Sequence, residues 1–189
     1  MLTEKQIQEI REHLENAKNP IFLFDNDPDG LCSFLLLQRF IGRGRGIPIR
    51  GHSSITKSFF KKAEEFKADY IFVLDKAVFD DEFIKLAKEA NIPIVAIDHH
   101  DISRPNIDYY YNTFEVSGKI EPTSYLCYKS TENKKDMWLA VIGCIFDGYI
   151  PEFIEDFKKQ YPGLVDSDYK DAFDIRFNTQ LGKIIHIIG

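Results

Sequence analysis

The chain has 189 residues, of which 44% are hydrophobic and 29% charged, the make-up of an ordinary globular protein with room for one good-sized core. Its formal net charge of −6 does not advertise a nucleic-acid binder by bulk electrostatics. Its apolar runs fall short of a membrane span, and the charged, amphipathic start "MLTEKQIQEI" lacks a signal-peptide core.

Residues 3 to 18 predict an amphipathic helix that Thr3 can cap, with Ile7, Ile10 and Leu14 on one face. "PIFLF", residues 20 to 24, predicts a short buried strand. Asp25, Asp27 and Asp29 follow it at alternate positions. Like charges about 4 Å apart repel by roughly 4 kcal/mol at an effective dielectric of 20, so this spacing asks for a counter-charge. "GLCSFLLLQRFIG", residues 30 to 42, predicts a largely buried helix, and the Gly and Pro content of "GRGRGIP" predicts a loop. The segment 38–62 carries Arg39, Arg43, Arg45, Arg50, Lys57, Lys61 and Lys62 and no acid. It reads either as a solvated basic face or as a landing surface for phosphates, to which Arg43, Arg45, Arg50 and His52 would contribute.

"YIFVLD", residues 70 to 75, predicts a second buried strand ending in Asp75. "DDEFIKLAKEAN", residues 80 to 91, predicts a helix closed by Asn91. "IPIVAIDHHD", residues 92 to 101, predicts a third strand that ends in Asp98, His99 and His100, and "IDYYYN" a further one. From residue 122 the pattern turns helical through "PTSYLCYKS", "KDMWLAVIGCIFDGY" and "PEFIEDFKKQYPG". Cys32, Cys127 and Cys144 are odd in number and far apart, which argues against a disulfide framework and for a reducing cytoplasm.

Strands that are continuous apolar runs, alternating with helices, predict an α/β fold: a parallel sheet flanked by helices on both faces, with a helical C-terminal portion. We expect one domain over residues 1–150. Residues 151–189 are expected to form a helical extension or the start of a linker to a further domain. Parallel sheets bind ligands outside the carboxyl ends of their strands, so the acids of three strands should converge on one crevice. Carboxylates with one or two imidazoles suit Mg²⁺ or Mn²⁺, and a pair of such ions can activate water and stabilise charge at phosphorus. Each acid also has a structural alternative as a helix cap or surface charge.

"DNDPDG", the strand-end Asp of "VLDKA", "DHH" and "GCIFD" stand in this order, and they resemble the four motifs of the DHH phosphoesterase superfamily over residues 20 to 150. That superfamily includes RecJ-type exonucleases, oligoribonucleases, cyclic-dinucleotide phosphodiesterases and the related manganese pyrophosphatases. The resemblance implies that Asp25, Asp27, Asp29, Asp75, His99 and Asp147 are metal ligands for a Mn²⁺ or Mg²⁺ pair. It implies that Asp98 orients an imidazole, that His100 faces the scissile phosphate, and that Asn112 sits where family members have an Asn near substrate. Successive side chains of a strand point to opposite faces, so His99 and His100 should take different tasks.

The implied activity is hydrolysis of phosphodiester bonds in single-stranded nucleic acid, oligonucleotides or nucleotides. Two alternatives stand beside it: a non-catalytic scaffold of a replication or repair complex, and a pyrophosphatase or polyphosphatase. Family members usually carry a second domain with a Gly-rich substrate motif, which this sequence lacks. Its apolar end "LGKIIHIIG" offers a surface for self-association.

Overall fold

The apolar runs pair as strands of one parallel sheet in the computed structural model, which describes residues 2–51, 53–165 and 168–189. In chain order the elements are α1 (Glu4–Asn16), β1 (Pro20–Asp25), α2 (Pro28–Ile41), β2 (Arg45–Ile49), α3 (Lys57–Glu65), β3 (Tyr70–Leu74), α4 (Asp81–Glu89), β4 (Ile94–Asp98), β5 (Tyr109–Asn112), α5 (Thr113–Ser117), α6 (Thr123–Thr131), α7 (Met137–Phe146), α8 (Ile154–Gln160), α9 (Ala172–Asn178) and α10 (Gln180–Ile188). The strand order is β2-β1-β3-β4-β5, with every neighbouring pair parallel.

The alternation of side chains along each strand splits the core in two. Phe22, Phe24, Phe72, Leu74, Val95, Ile97 and Tyr111 face one side, where they pack with apolar residues of α1, α2, α6 and α7. Ile21, Leu23, Ile71, Val73, Ile94, Ala96 and Tyr110 face the other, against Phe60 and Ala63 of α3 and Phe83, Ile84 and Ala87 of α4. The chain is therefore α/β with helices on both faces, as the alternation predicts. The C-terminal helices belong to the first of these cores through Ile154, Phe157, Ala172, Ile175, Leu181 and Ile185. Exposed apolar side chains do concentrate there: Phe173, Phe177, Ile187 and Ile188. No described helix is long and apolar enough to cross a membrane. Cys32, Cys127 and Cys144 are free and buried.

Topology places the site. The chain leaves β1 for β2 on one side and returns to β3 on the other, so the order reverses between β1 and β3. A crevice opens at the carboxyl ends of strands at such a switch point. Asp25 closes β1 and Asp75 follows β3 there.

Three local differences from the sequence reading matter. The Gly- and Pro-rich stretch expected as a loop contains β2, because backbone pairing to β1 overrides composition. β2 is an edge strand, where Pro48 is tolerated. Helix α2 begins at Pro28, two residues before the expected start, with Asp27 as its N-cap and Pro in its first turn. Strand β4 stops at Asp98, so His99 and His100 lie beyond it and escape its alternation.

Candidate metal centre

The first motif is built by a helix start. Asp27 accepts from the Gly30 N–H at 2.9 Å and caps α2, which places Asp29 in the first turn, fully buried. Gly30 is needed because a Cβ there would collide with the backbone of Asp25. Asp29 faces a second helix start: Thr123 N–H donates to its Oδ2 at 2.8 Å and Ser124 N–H to its Oδ1 at 3.0 Å, with the Ser124 hydroxyl also donating to Oδ1. The positive end of α6 thus compensates this carboxylate. Gly143 of α7 lets that helix approach, since a Cβ there would strike the Ser124 side chain and Asp29.

Asp75 adopts the left-handed region at φ 59°, an unfavourable conformation for a non-glycine residue and one that clusters at functional sites. Its buried Oδ1 meets three groups: the Thr123 hydroxyl at 3.3 Å, His99 Nε2 at 3.1 Å and His100 Nδ1 at 3.9 Å. His99 Nε2 also lies 3.3 Å from Asp147 Oδ2, at the C-terminal end of α7. The two imidazoles do not diverge as a continuing strand would require. Their ring centroids are 4.6 Å apart and both approach Asp75. His100 is held from behind, with Nδ1 2.8 Å from Asp98 Oδ1. Asp98, fully buried, also accepts from Tyr110 Oη and Asn112 Nδ2, each at 3.2 Å.

Electrostatics report a site short of positive charge. Burial, then the charges of Asp29 and Asp27, hold the Asp75 carboxyl far above the ordinary range. Burial, with Asp29 and Asp75 adding, pushes Asp147 up to about 8. Burial also raises Asp27, against the lowering effect of the Gly30 N–H. The hydrogen bond that His100 donates to Asp98 raises its pKa, with burial opposing. Without a cation, burial and mutual repulsion favour the protonated forms of these acids.

Three sets of described residues bring ligand atoms within 4.8 Å of one another: Asp75, His99 and His100; Asp29, His99 and Asp147; and Asp25, Asp27 and Asp75. The donor set is oxygen and imidazole without thiolate, which suits Mg²⁺, Mn²⁺ or a similar ion. Ligands about 2.1 Å from an octahedral ion stand about 3.0 Å apart along its edges. The 3.1 and 3.3 Å spacings from His99 Nε2 to Asp75 and to Asp147 each match such an edge, so His99 with either acid fits part of a divalent cation's shell.

The residues expected at the substrate phosphate separate. Arg43 donates to the carbonyls of Leu14, Glu15, Ala17 and Ile41, between the C-terminal ends of α1 and α2. Arg45 begins β2 opposite Ile21, at the far end of the sheet, with its guanidinium over the Phe66 ring. Both guanidinium groups thus have partners within the fold, away from the crevice at the carboxyl ends of the strands. Asn112 is buried, donates to Asp98 and caps α5. Arg50 is exposed just past Ile49, which pairs with Asp25, so it stands on the crevice rim. His52 lies outside the described residues.

Sequence reasoning missed three participants. Thr123 and Ser124 were legible only as a helix start after Pro122. Lys76, directly after Asp75, is buried in the crevice wall with Nζ 2.9 Å from Asp25 Oδ2. An open cleft of about 280 Å³ lies over Asp25, Asp27, Asp75, Lys76 and His100.

Residues 21–146 match the family model described as DHH family, N-terminal domain. None of the curated proteins matches the chain significantly in sequence. Among solved structures, exonuclease RecJ bound to manganese is similar, with 19% identity and a TM-score of 0.62 over 77% of this chain and 44% of that one. The DHH domain of a member of the s1p family of ribosomal proteins aligns over 97% of this chain and 50% of that one, with 19% identity and a TM-score of 0.67. CDC45 from Entamoeba histolytica aligns over 87% of this chain and 39% of its own, with 16% identity and a TM-score of 0.58. The chain spans half the length of these proteins or less.

Proposed function

This chain belongs to the DHH family, and from that premise we propose that it is a divalent-metal-dependent phosphoesterase acting on phosphodiester bonds of single-stranded nucleic acid or short oligonucleotides. One observation carries the reading. Asp75 and Asp147, from separate elements, meet His99 Nε2 at metal-ligand spacing, while the neighbouring His100 is anchored on Asp98 and lines the open cleft. Asp75, His99 and Asp147 would hold the cation, with Asp27 and Asp29 at their edge. When bound, a divalent ion at such a site lowers the pKa of water and withdraws charge from a phosphoryl oxygen.

The remaining work falls to the chain. Asp98 takes the Nδ1 side of His100, which leaves Nε2 to donate to a phosphoryl or leaving-group oxygen. Tyr110 and Asn112 fix the Asp98 carboxylate, and hence the imidazole's tautomer and aim. Arg50 on the rim attracts the incoming phosphate chain. A scaffold role gains no support from these residues, since an acid stands at each of the four motifs.

The test is turnover by the purified chain with Mn²⁺ or Mg²⁺ on single-stranded RNA, single-stranded DNA, short oligonucleotides, cyclic dinucleotides, polyphosphate and pyrophosphate. The expected result is release of nucleotides from single-stranded or short substrates, abolished by chelator and by Asp75→Asn. Metal binding with no turnover on any substrate overturns the enzymatic reading in favour of a scaffold. Turnover of pyrophosphate or polyphosphate alone overturns the substrate class.

A further inference from the structure

The Lys76 side chain is 8% exposed, and that of its partner Asp25 17%. Lysines are rarely buried to this degree unless paired, because the ammonium loses its hydration. Here Nζ has two fixed acceptors in the crevice wall: Asp25 Oδ2 at 2.9 Å and the Gly51 carbonyl. The left-handed turn at Asp75 lets the consecutive side chains of Asp75 and Lys76 both line the cleft. Asp25, Asp27 and Asp75 bring ligand oxygens close enough to hold a cation. An ammonium already sits on the Asp25 carboxylate, within the same cluster.

The other acids divide in the same manner. Asp98 has His100, and Asp29 has the start of α6. Asp75 and Asp147 remain grouped about His99 Nε2, with Asp27 beside Asp75. A dication placed among Asp25, Asp27 and Asp75 would face the Lys76 ammonium at close range and would have to displace it from both acceptors.

We propose that Lys76 is a built-in cation filling one of the two cation places in this crevice, so that the chain takes one divalent ion, on Asp75, His99 and Asp147, and not a pair. This rests on the metal-dependent reading above and replaces the ion pair expected from the family motifs. Lys76 is a positioning residue here. It neutralises Asp25 permanently and sets the metal stoichiometry without touching the divalent ion.

The experiment is calorimetric titration of the full chain with Mn²⁺, beside electron paramagnetic resonance of the loaded protein. Wild type should take one ion per chain and show the resolved hyperfine pattern of an isolated Mn²⁺. Lys76→Met should take two and show an exchange-coupled spectrum, while Lys76→Arg, which keeps the charge, should stay at one. Two coupled ions in wild type overturn the lysine assignment, and so does a folded Lys76→Met protein that still takes one. Should Lys76→Met not fold, Asp25→Asn decides. Its Mn²⁺ affinity should stay near wild type, whereas Asp147→Asn should lose about tenfold or more. Equal losses in the two variants overturn the assignment. A wild type that binds no Mn²⁺ overturns the metal-dependent reading itself, a result distinct from binding two.

Discussion

Asp29→Asn in the metal-free protein separates two accounts of this buried carboxylate, because they predict opposite signs. If Asp29 anchors the start of α6, the substitution removes three donors' charged acceptor and turns an amide N–H₂ toward buried N–H groups. Hydrogen bonds to a charged partner contribute about 1.5–3 kcal/mol each, and they do not add fully. Against this stands relief of repulsion with Asp147, whose ligand oxygen lies within 4.8 Å. Two full charges about 5 Å apart repel by roughly 3 kcal/mol at an effective dielectric of 20. That relief is small at neutral pH, since the Asp147 carboxyl, pushed up to about 8, mostly keeps its proton without a cation. The net loss should be about 3–5 kcal/mol, lowering Tm by roughly 6–20 °C for a chain of this size. The assay is thermal unfolding in chelator, followed by circular dichroism. An Asp29→Asn protein that melts at or above wild type without metal would refute the anchoring role. It would leave Asp29 as a charge kept for a cation.

Three further outcomes follow from the geometry. A folded-state pKa raised to about 8 makes Asp147 stabilising below its unfolded value of 3.8, and that contribution is lost as pH rises through about 8. In chelator, wild-type Tm should therefore fall relative to Asp147→Asn as pH climbs across that window, and parallel profiles would contradict the burial of this acid. His100→Ala should slow hydrolysis by roughly 100- to 1000-fold while leaving Mn²⁺ affinity near wild type, checked by initial rates beside calorimetry; unchanged turnover would remove His100 from the reaction. Arg43→Ala should cost about 2–3 kcal/mol of stability and leave KM for an oligonucleotide unchanged, since its partners are main-chain carbonyls. Arg50→Ala should do the reverse, raising KM with little effect on Tm, and a shared pattern in the two variants would undo the distinction.

The apolar runs "PIFLF", "YIFVL" and "IPIVAI" were enough to place three buried parallel strands, and the acids at their ends enough to place a crevice. This information is local: continuous apolarity reports burial on both faces, and the carboxyl end of a parallel strand is known once its direction is known. What each acid does there was not local. Asp29 finds its donors at Thr123 and Ser124, and Asp98 finds Tyr110 and Asn112, so their roles depend on which helix or strand the fold brings alongside. β2 was hidden because an edge strand can be formed from Gly, Arg and Pro when its neighbour supplies the pairing. Arg43 and Arg45 read as phosphate contacts because charge is visible in a sequence and its direction is not. One guanidinium points into helix ends and the other lies at the wrong end of the sheet. Lys76 stood beside Asp75 throughout, but the backbone reversal at φ 59° and the Asp25 carboxylate that receives its ammonium belong to the tertiary structure. Sequence periodicity records which residues leave water, whereas long-range hydrogen bonds and ion pairs decide what a buried charge is for.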